Sequence, residues 1–220
     1  PYIQALDLAL TTIEKGGFAH FMLKEIFEQP QSIHDCMRGR LAAAQASIVL
    51  GGMRQHIDQL VQANKIIIVA CGTSWHAGLV AEYFLEDLCR IPVEVEYASE
   101  FRYRNPVIQS GDVVIAISQS GETAATRAAI ELAQARGALV LGICNVVESS
   151  IARATQAGIY THAGPEIGVA STKAFTAQLT VLMMLALTIA RQKATLATSL
   201  FQELVHGLAA IPDLVASVLQ

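Results

Sequence analysis

Charged side chains are scarce in this sequence. They make up 15% of its 220 residues, with 15 Lys and Arg against 19 Asp and Glu and a formal net charge of −4. Because an ordinary soluble domain is about 25% charged, we expect much of this surface to lie in a large core or a subunit interface. The sequence also lacks a basic excess and any run of Lys or Arg, so the electrostatic footprint of a nucleic-acid-binding protein is missing.

Segments that would place the chain in a membrane are lacking as well. The longest apolar run, Leu179 to Ala190, contains two Thr and falls short of the roughly 20 residues that span a bilayer. We therefore predict a buried helix there and no membrane partner. No charged-then-apolar signal segment opens the chain, and the four Cys form no CxxC pair, which favours a reduced, cytoplasmic protein.

Patterns that hold metals or nucleotides are also missing. The six His form no HxH or HExxH pattern, so we predict no metal site. Neither the GxGxxG nor the GxxxxGK phosphate loop occurs, which disfavours a nucleotide, and no cofactor is predicted. The chain begins with Pro1 rather than Met, which suggests a piece of a longer protein or a processed product.

Strands and helices alternate along the middle of the chain. The apolar, β-branched run Ile66 to Ala70 predicts a strand covered on both faces. Similar patterns predict further strands at 93–96, 112–117, 139–143 and 158–160, and helices at 76–89 and 123–136. The alternation predicts an α/β fold, a three-layer α/β/α doubly wound parallel sheet with right-handed crossovers. Such sheets bind ligands at the carboxyl ends of their strands.

Helical segments flank the predicted sheet. Apolar residues at helical spacing predict a helical lead-in over residues 1–62. A long buried helix is predicted from about Ser171 to Arg191, and an amphipathic helix over 197–218 that is bent or broken near Pro212. The predicted division is a lead-in at 1–62, a sheet domain at 63–195 and a C-terminal helix at 196–220.

Three loops rich in hydroxyl groups and glycine lie where predicted strands end. They are Cys71 to Ser74, Ser118 to Thr123 (the Ser118 loop) and Gly164 to Ser171. At the start of a helix, free backbone N–H groups and the positive end of the helix dipole favour an anion. Gly121 lets the Ser118 loop turn, and its hydroxyl donors are those of Ser118, Ser120 and Thr123. The loop therefore predicts a phosphate site without lysine, suited to a small phosphorylated metabolite.

Simpler interpretations stay open for each of these residues taken alone. A Ser or Thr at such a junction is more often only a helix N-cap, although three hydroxyls within six residues favour a binding site. Cys71 stands at a strand end where a nucleophile could lie, but a free Cys is usually a small buried apolar residue. Glu166 is a loop acid that could face a ligand, and an exposed carboxylate is its simpler interpretation.

At these loops the sequence resembles a known family. The segments ACGTSWHAG from Ala70, SQSGET from Ser118 and GPEIGVASTKAFT from Gly164 are similar to the sugar isomerase (SIS) domain. The last of these, with EIFEQP from Glu25 and ASEFRYR from Ala98, resembles more narrowly the first SIS domain of one family. That family is glutamine–fructose-6-phosphate aminotransferase (isomerizing), the glucosamine-6-phosphate synthases. The resemblance covers nearly the whole chain.

The resemblance implies a phosphosugar site and names its residues. In that family, the residues matching Ser74, Ser118, Ser120 and Thr123 hold the sugar phosphate. Those matching Thr73, Gln119, Val169 and Ser171 line the sugar. The implied ligands are fructose 6-phosphate and glucosamine 6-phosphate. Family members pair through their isomerase domains, which, with the low charged fraction, predicts a homodimer.

The resemblance also implies a larger enzyme. The family has a glutaminase domain that releases ammonia and two SIS domains that add it to fructose 6-phosphate and isomerise the product to glucosamine 6-phosphate. The glutaminase cysteine and the isomerase's base glutamate, ring-opening histidine and Schiff-base lysine have no counterpart in this chain, so no catalytic residue is predicted. Because general acid–base help is worth about 10²–10⁴ in rate, we expect a chain that binds phosphosugar and turns it over poorly or not at all.

Other functions remain compatible with the loops. A stand-alone phosphosugar isomerase or deglycase of the SIS superfamily would need its own base, for which Glu166 is the only loop acid to nominate. A non-catalytic phosphosugar sensor would carry a helix-turn-helix and a basic patch, neither of which the sequence displays. A purely structural scaffold fits least well, because it would not need three hydroxyl-rich loops at the ligand-binding edge.

Overall fold

Short elements precede the sheet in this computed structural model, which describes residues 14–220. They are α1 (Phe21–Phe27), α2 (Gln29–Met37), the antiparallel strands β1 (Leu41–Ala42) and β2 (Ser47–Ile48), and α3 (Ile57–Val61). The helical lead-in is confirmed over these helices, while its residues 1–13 lie outside the described residues. The sequence does not predict the hairpin, because strands of two residues leave no alternating pattern.

Five parallel strands form the central sheet. They are β3 (Ile66–Ala70), β4 (Val93–Tyr97), β5 (Val113–Ser118), β6 (Leu139–Cys144) and β7 (Ala157–Tyr160), in the order β4-β3-β5-β6-β7. All five predicted strands are confirmed, and every residue of β3 is buried. The chain leaves β3 for β4 on one side and returns to β5 on the other. The order in which the chain adds strands therefore reverses between β3 and β5. Such a switch point is where folds of this kind bind their ligands.

Helices cover both faces of the sheet. They are α4 (Thr73–Cys89), α5 (Ala98–Tyr103), α6 (Ala124–Ala135), α7 (Ser150–Ala154), α8 (Lys173–Lys193) and α9 (Thr198–Val218). Along β3, Ile66 and Ile68 join the apolar cluster of α4, α8 and the lead-in, whereas Ile67 and Val69 join that of α5, α6 and α7. This alternation follows from the two-residue period of a strand, and it confirms the three-layer α/β/α fold.

Helix α8 is the apolar helix predicted from the sequence. By length and composition it could cross a membrane, but 72% of its most apolar window is buried inside the fold. It packs against α2, α3 and α4. The run from Leu179 to Ala190 is therefore the centre of a core helix, as predicted.

Helix α9 differs from its prediction at Pro212. The helix runs without a break from Thr198 to Val218 with Pro212 inside it, so a break there is wrong, while a bend near Pro212 stays a prediction. An internal proline costs about 3 kcal/mol because it removes a hydrogen bond and crowds the preceding turn. Burial of Phe201 and Val205, with Leu208 and Ile211 packed against the same core, offsets this cost and keeps the helix whole.

Candidate functional site

A cleft of about 340 Å³ opens at the carboxyl ends of β3 and β5. All eight residues predicted for the site line it: Thr73, Ser74, Ser118, Gln119, Ser120, Thr123, Val169 and Ser171. The remaining lining residues are Cys71, Gly72 and Ile117. Three loops that are far apart in the sequence thus meet at one point, which is the switch point of the sheet.

The Ser118 loop is ordered by hydrogen bonds to its own hydroxyl groups. The buried Ser118 Oγ accepts the backbone N–H of Gly121 at 3.0 Å and lies 3.2 Å from Thr123 Oγ1. Ser120 Oγ accepts the backbone N–H of Glu122 at 3.2 Å. A hydroxyl has one hydrogen and two lone pairs, so each oxygen that accepts an N–H keeps its hydrogen for another acceptor.

Thr123 is the N-cap residue of α6, yet its side chain does not cap the helix. Its hydroxyl instead pairs with Ser118 across the loop. Whichever of the two donates, one hydroxyl hydrogen of the pair is left for an acceptor in the cleft. The N-cap interpretation therefore does not describe how this side chain is used.

Ser74 is positioned from the core of the protein. It is buried in the first turn of α4, and its Oγ accepts a hydrogen bond of 3.0 Å from Nε2 of Gln178 in α8. Gln178 is 1% exposed. As in the Ser118 loop, the accepted N–H leaves the hydroxyl hydrogen free to donate.

Gly121 fixes the shape of the Ser118 loop for two reasons. Its φ of +70° lies in the left-handed region that favours glycine. A Cβ at this position would lie 1.9 Å from Oγ of Ser149. The carbonyl of Gly121 also accepts the backbone N–H of Ile151 at 2.9 Å, so α7 supports the loop from behind.

The third loop, residues 164–172, is attached to the lead-in. Glu25 of α1 is buried, and its carboxylate accepts the backbone N–H groups of Ile167 and Gly168. Lys173, the first residue of α8, donates to Oε2 of Glu28 at 2.7 Å. Sequence reasoning did not assign roles to these two glutamates, although both stand in the EIFEQP segment that carried the resemblance.

Glu166 does not line the cleft. Its Oε1 accepts the backbone N–H groups of Thr172 at 2.9 Å and Ala174 at 3.2 Å. The carboxylate is half-buried and caps the start of α8, where a negative charge opposes the positive end of the helix dipole. The interpretation of Glu166 as an exposed loop carboxylate is therefore wrong.

Other reactive side chains are mostly remote from the cleft. Cys71 is half-buried and lines it, while Cys36, Cys89 and Cys144 are buried elsewhere. Burial raises the pKa of Cys36 and of Cys89 to about 12 and that of Cys144 to about 11. Within residues 14–220, no three His, Cys, Asp or Glu side chains stand close enough together to hold a metal ion.

Backbone dipoles supply the positive potential of the cleft. None of its lining residues among those described is a Lys, Arg or His. Helices α4 and α6, of 17 and 12 residues, both begin at the cleft. Their N-termini carry partial positive charge and free N–H groups, which together with the hydroxyl donors suit a phosphate.

The comparisons with known proteins agree with this geometry. The chain is 59% identical over all 220 residues to a glutamine–fructose-6-phosphate aminotransferase [isomerizing] of Bacteroides thetaiotaomicron. It is 44% identical over 217 residues to glutamine–fructose-6-phosphate aminotransferase [isomerizing] 2 of Homo sapiens. It covers 36% and 32% of these two proteins, so it spans about a third of the length of the curated relatives it matches.

A solved structure extends the likeness to three dimensions. The C-terminal domain of glucosamine-fructose-6-phosphate aminotransferase from Francisella tularensis superposes with a TM-score of 0.87 at 40% identity. The match covers 94% of this chain and 57% of that one. The predicted resemblance to these aminotransferases is thus confirmed along the whole chain. Since the model of the SIS domain family matches residues 59–188, the chain belongs to the SIS domain family.

Proposed function

We propose that this chain is the phosphosugar-binding first SIS domain of a glutamine–fructose-6-phosphate aminotransferase. Such an enzyme makes glucosamine 6-phosphate from fructose 6-phosphate and glutamine by amino transfer and ketose–aldose isomerisation. The observation that carries the proposal is the meeting of all eight predicted site residues in one cleft at the switch point of the sheet. The relatives at 59% and 44% identity carry the name of that enzyme.

The phosphate is held by the hydroxyls of Ser74, Ser118, Ser120 and Thr123. Three of these oxygens already accept an N–H from the protein. The hydrogens of Ser74 and Ser120 and one hydrogen of the Ser118–Thr123 pair are left to donate to phosphate oxygens. Hydrogen bonds to a charged acceptor are worth about 1.5–3 kcal/mol each. The starts of α4 and α6 add favourable dipole potential, so the site needs no lysine.

The sugar lies on the other side of the cleft, against Thr73, Gln119, Val169 and Ser171. Val169 and Ser171 come from the loop that the lead-in holds, whereas Gln119 comes from the Ser118 loop. The loop that brings Val169 and Ser171 to the sugar is therefore anchored separately from the loops that hold the phosphate. This arrangement favours a ligand that carries both a phosphate and a polar, hydroxylated body.

The isolated chain binds its ligand without turning it over. Moving a proton between adjacent sugar carbons requires a positioned base. No Asp, Glu or His is among the described residues that line the cleft, and Glu166, outside that lining, binds the start of α8 through its Oε1. The base and the other catalytic groups are expected in parts of the enzyme that this chain does not span.

The organisation of the chain is part of the proposal. We place the lead-in at 1–62, the SIS domain at 63–195 and the C-terminal helix at 196–220, in a cytoplasmic homodimer. Exposed apolar side chains such as Leu214 and Val218 of α9 support an interface. Analytical sedimentation of the purified chain tests the homodimer. A monomer at all concentrations would contradict it.

Calorimetric titration tests the proposed ligand. The chain is titrated with fructose 6-phosphate, glucosamine 6-phosphate and unphosphorylated fructose, and the same samples are assayed for product. Binding that requires the phosphate and gives no product supports the proposal. Turnover by the chain alone would favour a self-sufficient phosphosugar isomerase or deglycase. Tight binding of a different phosphosugar would favour a sensor.

A further inference from the structure

Helix α1 contacts the loop that carries Val169 and Ser171. Glu25 is 2% exposed, and both of its carboxylate oxygens contact the loop. Oε1 accepts the backbone N–H groups of Ile167 and Gly168, at 2.5 and 3.0 Å, and Oε2 lies 3.1 Å from the N–H of Gly168. A buried carboxylate that accepts backbone N–H groups makes strong, charge-assisted hydrogen bonds.

Gly168 lets the loop approach the helix this closely. A Cβ at this position would lie 2.4 Å from Oε2 of Glu25 and 3.5 Å from the Cα of Met22. A side chain at 168 would therefore push the loop away from α1. The close contact between the loop and α1 therefore requires both a glycine at 168 and the buried carboxylate of Glu25.

A second contact holds the far end of the same segment. The Lys173 side chain is almost fully buried, and its Nζ donates to Oε2 of Glu28 at 2.7 Å. Glu28 is the residue that follows α1. Between the two anchors, the structure gives residues 169–171 no hydrogen bond to any other described residue. The position of Val169 and Ser171 in the cleft thus depends on these anchors and on the hydrogen bond from the Thr172 amide to Glu166.

We propose that Glu25 is a positioning residue for the sugar half of the cleft. It does not touch the ligand, but it holds the Ile167 and Gly168 amides so that Val169 and Ser171 face the sugar. The inference rests on the proposed function, because the sugar is the ligand proposed there. It adds that the lead-in, which precedes the sheet in sequence, sets the geometry of sugar recognition.

Binding of phosphate alone is the control for this inference, because the phosphate half of the cleft does not contact Glu25. The Ser118 loop is supported by α7 and Ser74 by Gln178, and neither support involves Glu25. Loss of the Glu25 contact should therefore weaken recognition of the sugar and leave recognition of phosphate unchanged. A general loss of stability would weaken both.

The experiment compares Glu25→Gln and Glu25→Ala with wild type in the complete chain. Glu131→Gln is the matched control, because Glu131 pairs with Arg127 on the surface of α6. Hydrogen exchange of the Ile167 and Gly168 amides reports on the loop without any ligand. Calorimetry with fructose 6-phosphate measures the whole site. Amide NMR shifts of the Ser118 loop, followed on titration with inorganic phosphate, measure the phosphate half.

We expect Glu25→Ala to lose protection of the two amides and to weaken fructose 6-phosphate binding at least about tenfold, since small displacements of positioning groups have such effects. Inorganic phosphate should bind within about twofold of wild type. Glu25→Gln retains one acceptor oxygen and should lie between wild type and Glu25→Ala in both measurements.

Three results would overturn the inference, and they differ from one another. If both Glu25 variants bind fructose 6-phosphate as wild type does, the positioning role is wrong and the proposed function stands. If wild type protects the two amides but binds no fructose 6-phosphate, the proposed function is wrong and the sugar role falls with it. Equal weakening for fructose 6-phosphate and phosphate would also contradict it, because it indicates a structural defect.

Discussion

The side-chain amide of Gln178 donates a hydrogen bond of 3.0 Å to the hydroxyl oxygen of Ser74. This contact joins the middle of the core helix α8 to the first turn of α4. The other polar atom of the Gln178 side chain, Oε1, is buried and has no hydrogen-bond partner among the described residues. Among the described residues, the Gln178 side chain therefore makes one hydrogen bond, and its partner Ser74 lines the cleft.

Gln178→Met tests whether this contact serves binding. Methionine has a similar length and no donor, so Ser74 loses the N–H that fixes its orientation. One such hydrogen bond is worth about 1 kcal/mol, which corresponds to about a fivefold loss of fructose 6-phosphate affinity by calorimetry. The melting temperature should stay equal or rise, because the variant also removes the buried oxygen that has no partner.

Thr180→Val is the control for the Gln178 variant. Thr180 lies two residues further along α8 and is buried, and its hydroxyl donates to the backbone carbonyl of Thr176 at 2.8 Å. This substitution should leave the affinity unchanged. An unchanged affinity in Gln178→Met as well would mean that Ser74 needs no support from the core.

The double variant Ser120→Ala, Thr123→Ala tests the phosphate half directly. It removes the Ser120 donor and the Thr123 hydroxyl that pairs with Ser118. A hydrogen bond to a charged acceptor is worth about 1.5–3 kcal/mol, so fructose 6-phosphate affinity should fall more than about tenfold. The fold should survive, because the exposed Ser120 accepts the Glu122 amide at the surface and the Thr123 side chain does not cap α6. Titration calorimetry and urea unfolding measure the two effects.

Ser118→Ala should behave differently from that double variant. Its buried Oγ accepts the Gly121 amide, and a buried N–H left without a partner costs about 1–3 kcal/mol. We therefore expect a measurable loss of stability together with weaker binding. Ser217→Ala, on the surface of α9, is the control for both. If the double variant Ser120→Ala, Thr123→Ala binds fructose 6-phosphate as wild type does, the Ser118 loop does not hold the phosphate.

The local features of the site are predictable from the sequence because they depend on neighbouring residues. The run Ile66 to Ala70 identifies a buried strand by composition alone, and the Ser118 loop follows another such strand. The carboxyl ends of adjacent parallel strands must meet at one edge of the sheet. The convergence of the Cys71 and Ser118 loops therefore follows from sequence pattern and the topology of the fold.

The supports of the site were not predictable in the same way. Glu25 and Gly168 are 143 residues apart in sequence, and Gln178 and Ser74 are 104 apart. No local period relates such pairs, and a Glu in a short amphipathic helix is usually solvated. The signal present in the sequence was the polar Gln178 just before the apolar stretch of a core helix, since a buried amide needs a partner.

Gly121→Ala should disturb the Ser118 loop more than a glycine change elsewhere. Alanine at a left-handed position costs about 1–2 kcal/mol, and here its Cβ would also collide with Ser149, which adds about 1–3 kcal/mol. Gly137 is the control, because its φ is +81° but a Cβ there meets nothing within 4 Å. Only the conformational cost applies to Gly137→Ala.

Urea unfolding of the two glycine variants gives the comparison. We expect Gly121→Ala to lose at least about twice the unfolding free energy that Gly137→Ala loses, and to bind fructose 6-phosphate less well. Gly137→Ala should bind normally, since it lies at the opposite end of α6. Equal losses in the two variants would mean that the loop moves away from Ser149 without cost.

Cys71 offers a chemical probe of the cleft. It is half-buried and lines the cleft, whereas the other three cysteines are buried. Burial raises the pKa of the Cys36 and Cys89 thiols from 9.0 to about 12, and that of Cys144 to about 11. The thiolate is the reactive form, so these three should resist alkylation while the protein is folded.

The same shifts give the direction of a pH effect. A thiol whose pKa is higher in the folded protein binds its proton more tightly there, so its contribution to stability is complete below pH 9 and is lost as the pH rises from 9 towards 12.

Because the other three cysteines are buried, treatment with iodoacetamide at pH 8, followed by mass spectrometry, should label Cys71 first. Fructose 6-phosphate should slow this labelling, because it fills the cleft that Cys71 lines, and unphosphorylated fructose should not. If Cys71 reacts at the same rate with saturating fructose 6-phosphate, the sugar phosphate does not occupy this cleft.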